Sequence, residues 1–450
     1  MRNLIYFFGT VLFLPIVSCE KFLDIDPPVQ EIVSEKVFSN IENATSAVVG
    51  LYSRMTSRNN DGMNGFLSIY TGLASDEIWN TSVNSSFDPF KNNAILDNNS
   101  VIVSNVWNPM YNYIFQTNKI IEQLSESKML AIDERQRLLG EMYFTRALLH
   151  FYLLNLFGDI PLILTSDYQL NRFATRNSTD EIYKQIILDL STSIDLLPET
   201  YPNLERIRPN KFAAKAFLAR VYLYTKQYDK AILEASDVIN TNSYKLEANL
   251  SNVFLPTSKE AIWQLFSTNT AYNTAEGFAF IPNNATTRPA FSFYQRVIDG
   301  FGSGDKRKSE WTSTRIISNV TYIYPTKYKI RSNATKTEYN TVFRLAEQYL
   351  IRAEAYLYSD EVKNGIKDIN TLRSRAGTNL MDENLSKDQA IQMLIQENQN
   401  EFFAEWGHRW LDLKRWGIIN EEMLKTKPGW LSTSAYFLIP ATEFIQNPNL

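Results

Sequence analysis

The sequence predicts a mainly α protein, a scaffold of paired helices carrying long irregular loops and a few short strands. Three observations lead there. Apolar residues recur at helical spacing through most of the chain. Several helical segments come as adjacent pairs of about 34 residues, with small residues where two helices must approach closely. Two long sections, 58–106 and 241–340, break the helical pattern and are rich in Asn, Ser, Thr and aromatic side chains.

The first helix is predicted over 44–57. The second, 107–125, carries Met110, Ile114, Ile120, Ile121 and Leu124 at helical spacing. A third spans 133–156 and stops at Gly158-Asp159, and a fourth spans 179–197 and stops at Pro198. Pro209 suits the first turn of a helix over 209–225, whose partner is 228–240. After the second irregular section come 342–359, 361–375 and 387–404. In the pair 211–239, Ala214, Leu218, Ala219, Tyr222 and Leu223 line one face, and Tyr228, Ala231, Ile232 and Ala235 answer it. This pair and 343–377 resemble tetratricopeptide units. The reading is therefore a tetratricopeptide-like helical-repeat scaffold, in which tyrosine and alanine at this spacing serve packing rather than a peptide groove. Within the irregular sections, 261–266 and 320–324 read as short strands by their alternation and their β-branched and aromatic content. Non-repetitive stretches this long in a helical domain are candidates for function.

Residues 1–18, MRNLIYFFGTVLFLPIVS, join a positive Arg2 to an apolar run too short for a bilayer span of roughly 20 residues. They read as a secretory signal. Directly behind lies Ile16-Val17-Ser18-Cys19, which looks like a bacterial lipobox, with an aliphatic residue at −3, a small residue at −1 and then the cysteine to be acylated. A thiolate is the natural nucleophile for taking a lipid. Residues 19–40 follow as a lipidated tether containing Pro27-Pro28, and 41–450 read as a single domain.

Composition excludes several functions. One Cys rules out an internal disulfide framework and Cys-rich zinc sites, and two His, His150 and His408, leave little for imidazole metal sites. No metal or cofactor is expected. A net charge of −4 without a run of one sign disfavours nucleic acid as a partner. The chain is read as no enzyme. An all-α glycoside hydrolase would need two carboxyls opposed across a cleft, roughly 5–9.5 Å apart. Asp76 and Glu77 are instead neighbours, and Glu401 and Glu405 share one helical face with basic residues.

Four segments in order carry a family resemblance: CEKFLDIDP at 19–27, GEMYFTRA at 140–147 followed by NLFGDIPL at 155–162, RLAEQYLIRAEA at 344–355, and NEFFAEWGHRWLDLKRWG at 400–417. Over nearly its whole length the chain resembles the SusD/RagB family. That resemblance implies a lipid-anchored protein on the outer membrane of a Gram-negative bacterium, facing the exterior. It would capture oligosaccharides, or in some relatives peptides, for a partner TonB-dependent outer-membrane transporter. The 400–417 segment sets Trp406, Trp410 and Trp416 among Glu401, Glu405, Arg409, Asp412, Lys414 and Arg415, which reads as a buried corner of packed indoles and ion pairs. His150 and His408 read as structural, as does the Asp305-Lys306-Arg307 turn.

Sugars are held by flat aromatic faces together with amide, carboxylate or guanidinium groups that meet their hydroxyls. The irregular sections supply both. In the first, Asp76, Trp79, Asn80, Phe87 and Phe90 are candidates; the last four follow from the place that this section takes in the family's ligand site. Phe280, Tyr294 and Trp311 are the candidates from the second. The lipobox yields the first test. Cys19→Ala should release the chain from the membrane or leave it unprocessed, and continued acyl labelling of that variant would reject the assignment.

Overall fold

A computed structural model describes residues 38–450. Cys19, the signal segment and the tether through residue 37 lie outside the described residues. Helix α1 (Ile41–Ser57) begins where the Asn40 side chain accepts a hydrogen bond from the Asn43 N–H, meeting one donor that a first helical turn leaves open. Helix α2 (Phe66–Ala74) lies inside the section expected to be irregular. All nine of its residues are buried, so it has no polar face and leaves no helical period in the sequence.

The scaffold then follows the predicted order: α3 (Asn108–Glu126), α4 (Ile132–Phe157), α5 (Thr179–Leu196), α6 (Lys211–Tyr224) and α7 (Tyr228–Asn240). Helix α3 continues from a wider π turn, Ile102–Trp107. Ser178 and Glu181 form a reciprocal capping box at the start of α5, meeting donors that the first turn would leave open. Helix α4 is the hub and packs against both α3 and α5. Gly140 lets α5 come close, since a Cβ there would stand 2.8 Å from Leu197 Cγ. The Gly140 carbonyl accepts a 2.8 Å hydrogen bond from Ser193. Arg146, buried in α4, makes a bidentate pair with Asp189 of α5 at 2.7 and 2.8 Å. The His150 Nδ1–H donates to the Arg146 carbonyl at 3.0 Å, and burial pushes its imidazole down to about 3, so it is a neutral core residue.

The strands are short. β1 (Ile78–Asn80) pairs with β3 (Phe291–Phe293), and β2 (Ala261–Leu265) pairs with β6 (Asn340–Arg344), both antiparallel. β4 (Thr312–Ile317) and β5 (Val320–Pro325) form a hairpin. Its turn residues Ser318 and Asn319 both have positive φ, 50° and 62°, as a two-residue turn matched to strand twist requires. Strand β6 corrects one expectation: the helix read from 342 begins three residues later, because the buried β-branched and aromatic Thr341-Val342-Phe343 pairs with β2 first. Helices α8 (Leu345–Tyr358), α9 (Val362–Ala376) and α10 (Lys387–Phe402) then close the second set of pairs, followed by α11 (His408–Arg415), α12 (Ile419–Thr426) and α13 (Ala441–Gln446). Buried apolar side chains form one large cluster and a smaller one among α8, α9 and α10. Among the described residues, no helix is long and apolar enough to cross a membrane.

Many of the buried charges pair in one cluster. Arg344, at the junction of β6 and α8, meets Glu260, Glu401 and Glu405. Arg307 meets Asp305, Glu397 and Glu401, and Arg375 meets Glu260 and Glu401. Lys327 binds Glu405, and Arg373 binds Glu397. Three guanidinium groups hold the Glu401 carboxyl well below its ordinary range despite complete burial. The 400–417 segment is thus the packed corner that its residue pattern suggests, with Trp406 and Trp410 buried. His408 is neutral there, stacked on Phe402 at 4.4 Å and desolvated beside several cations. Asp305 both caps the turn Lys306–Trp311 and pairs with Arg307.

The corner reaches back to the first half of the chain. Asp76 is fully buried in a bidentate pair with Arg409 at 2.8 and 2.9 Å, which holds its carboxyl below the usual value. Glu77 accepts from the Ala404 N–H at 3.0 Å through one oxygen, while the other finds no partner. Burial and the neighbouring Asp76 push Glu77 up from 4.5 to about 7.

Two tests follow from this packing. Tyr222, 8% exposed, should cost about 2–4 kcal/mol when replaced by alanine. Tyr349 is half-buried, so Tyr349→Ala should cost less, and thermal melting that ranked the two in reverse would show the repeat faces misassigned. The second concerns pH. Because folding raises the Glu77 carboxyl, its contribution to stability is complete below 4.5 and is lost as pH rises to about 7. Glu77→Gln stays neutral, so its melting temperature relative to the natural protein should climb across that window and then level off. A difference that does not change with pH would refute this.

Candidate functional site

The sequence placed eight candidate ligand contacts, and the fold separates them. Strand alternation in β1 sends Ile78 and Asn80 inward and leaves Trp79 half-buried on the other face. Trp79 stands opposite Ser292 of β3. The Ser292 hydroxyl donates to the Ile323 carbonyl and accepts from the Ile323 N–H, which seats the β4–β5 hairpin against the β1–β3 ribbon. Trp79 lies at this joint, with its ring 6.1 Å from Tyr322 and tilted by 40°. Its indole N–H donates to the Phe293 carbonyl at 3.1 Å. The polar edge of the ring is therefore spent on the backbone, and its orientation is held from two sides.

Polar groups border the joint. Arg315 stands opposite Tyr322 across the hairpin, which puts the two on one face. Its guanidinium donates to the Asn284 and Thr287 carbonyls at 2.5 and 2.7 Å, tying down an exposed loop. Arg288 donates to the Ser82 hydroxyl at 2.6 Å, bridging the loops that leave β1 and enter β3. Two further candidates keep some exposure. Phe87 is half-buried and packs edge-on to Phe291 at 5.0 Å. Tyr294 is half-buried beneath Lys427, whose ammonium stands 5.4 Å from the ring and donates to the carbonyls of Leu73 and Lys91. Burial, with Asp76 nearby, pushes the Tyr294 phenol up to about 12.

The other five candidates are corrected by burial. Asp76 is spent on Arg409 and has no exposed surface. Asn80 is 4% exposed and donates to Ser82 and Asp88, so its amide braces the loop instead of facing outward. Phe90 packs among Phe66, Tyr70 and Phe437. Phe280 sits edge-on to Phe291 at 5.7 Å. Trp311 is fully buried, donates to the Leu250 carbonyl at 3.0 Å and lies 4.8 Å beneath the Lys327 ammonium. In each case the aromatic or polar character that suggested a ligand serves packing. Tyr322 and Arg315 were missed, although alternation through 320–324 already marked Tyr322 and Tyr324 as sharing a face.

Comparison with known proteins places this architecture. A family model described as starch-binding, associating with the outer membrane, matches residues 21–223, and the SusD family model matches residues 263–437. The chain is 26% identical to SusD-like protein P2 of Formosa agariphila, over 98% of this chain and 97% of that protein. Its fold is similar to that of a SusD superfamily protein from Bacteroides vulgatus, with a TM-score of 0.82 and 23% identity over 91% of this chain and 98% of the other. It is also similar to a laminarin-binding SusD-like protein, with a TM-score of 0.75 and 20% identity over 90% of this chain and 97% of that one. With two family models spanning most of its length and the helical-repeat fold in common, the chain belongs to the SusD/RagB family.

Proposed function

We propose that this protein is a non-catalytic glycan-binding protein, anchored to the outer membrane through Cys19, that captures oligosaccharide for a TonB-dependent outer-membrane transporter. The observation that carries the reading is Trp79: a half-buried indole, braced by Phe293 and Tyr322, on an edge bordered by the Arg315 and Arg288 guanidinium groups. A rigid aromatic ring with polar neighbours is what recognition of a sugar ring and its hydroxyls requires. The family's starch-binding description and the laminarin-binding neighbour support glycan as the ligand class. The carboxylate pairs that a hydrolase would need are committed elsewhere. Asp76 is held by Arg409, Glu77 by the Ala404 N–H, and Glu401 and Glu405 by Arg344.

Titration calorimetry with laminarin, soluble starch and a peptide pool tests this function. Binding of a polysaccharide without release of reducing ends is the expected result. Turnover that a single carboxylate substitution abolishes would overturn the non-catalytic reading. In the same assay Trp79→Ala should weaken polysaccharide binding by about 1–3 kcal/mol. Unchanged affinity with a lowered melting temperature would show that Trp79 is a packing residue alone.

A further inference from the structure

A second concave surface lies elsewhere on the molecule and shares no lining residue with the Trp79 joint. It is a groove of about 730 Å³, within the roughly 300–1,000 Å³ range of small-molecule sites. Its floor is the outer face of α3. The opposite face of that helix buries Met110, Ile114 and Ile121, so the outer face could have been wholly charged, as a solvated helix face usually is. Instead Asn108, Tyr111, Asn112 and Phe115 recur there at helical spacing, alternating amide and ring. Phe115 is 43% exposed.

One wall is the segment 161–174, which holds Tyr168 out at 68% exposure. The other wall is α13, with Glu443 half-buried in it. The walls are fixed by hydrogen bonds: Asn171 donates to the Thr165 carbonyl at 2.8 Å, Asn447 to the Ala174 carbonyl at 2.6 Å, and Tyr111 to the Pro161 carbonyl at 3.0 Å. Arg172, on the first wall, is stacked 4.4 Å over Phe173. The lining thus offers rings, several amides, the Arg172 guanidinium and the Glu443 carboxyl, with no excess of basic groups. A nucleic acid or an acidic peptide would call for a basic lining, and a purely apolar segment would leave these amides unmet. Flat rings alternating with hydroxyl-reading groups in a preformed groove without a basic excess match an uncharged oligosaccharide.

We propose that this groove is a second oligosaccharide-binding site, with Tyr111, Phe115 and Tyr168 as ring platforms and Asn112, Arg172 and Glu443 meeting hydroxyls. The inference rests on the glycan-binding reading for its ligand class, but not on the Trp79 joint. Hydrogen exchange of the full mature chain tests both sites together, using the hexasaccharides of laminarin, starch, cellulose, mannan and xylan at millimolar concentration, and a peptide pool. At least one hexasaccharide should slow exchange in peptides covering 108–116 and 164–174. Slowing at the β1–β3 ribbon alone would overturn the second site and leave the proposed function standing. Slowing at the groove alone would uphold the second site and remove the Trp79 assignment. Slowing at neither, or at the groove with the peptide pool alone, would overturn the proposal. Phe115→Ala and Tyr168→Ala remove exposed rings, so each should keep its melting temperature while weakening groove binding about tenfold or more. Trp79→Ala should leave protection at the groove unchanged, and loss of it there would also overturn independence of the two sites.

Discussion

The buried ion-pair cluster around Arg344 and Glu401 is the constraint on which the rest of the structure depends. Five cations, Arg307, Lys327, Arg344, Arg373 and Arg375, meet five carboxylates, Glu260, Asp305, Glu397, Glu401 and Glu405. Taking such charges out of water costs several kcal/mol per ion, and close, well-directed partners must offset it. Removing one member would leave its partners charged and unmet, at a cost of about 3–5 kcal/mol. The members come from the start of β2, the 305–307 turn, the segment after β5, the β6–α8 junction, the end of α9, and α10 with the bend behind it. These pieces are therefore locked in one arrangement more tightly than apolar contact alone would require.

That lock extends toward the Trp79 joint by a short chain of contacts. The bend after α10 presents the Ala404 N–H to Glu77 and the Arg409 guanidinium to Asp76. Those two carboxylates stand immediately before β1, so the strand that carries Trp79 is tied to the ion-pair corner within three residues. Pairing with β3 and the Ser292 hydroxyl then seats the β4–β5 hairpin beside it. The proposed binding surface is thus held in place by the fold itself, which would lower the ordering cost of binding. The acidic groups next to it, Asp76 and Glu77, tie the strand to the corner.

Helices with a buried and a solvated face were legible from their period, and Gly158 and Pro198 marked where two of them end. The packed 400–417 corner, the 305–307 turn and the two structural histidines were also legible, because dense opposite charge beside indoles implies mutual satisfaction. Helix α2 was not, since complete burial erased its period. The candidate site was legible in part: Trp79 came out half-exposed, but Phe90, Phe280 and Trp311 turned inward. An aromatic side chain in a polar segment has the same composition whether it stacks on a sugar or on another ring.

By itself, then, the sequence determined the helical scaffold, its order, the family and the presence of two aromatic-rich irregular sections. These depend on local periodicity, on capping and on motifs contiguous in the chain. Tertiary structure alone decided which rings keep a free face, that Tyr322 joins Trp79, and that α3, the 161–174 segment and α13 enclose a groove. Those outcomes depend on contacts between residues up to several hundred positions apart, and no local pattern of residue types encodes them.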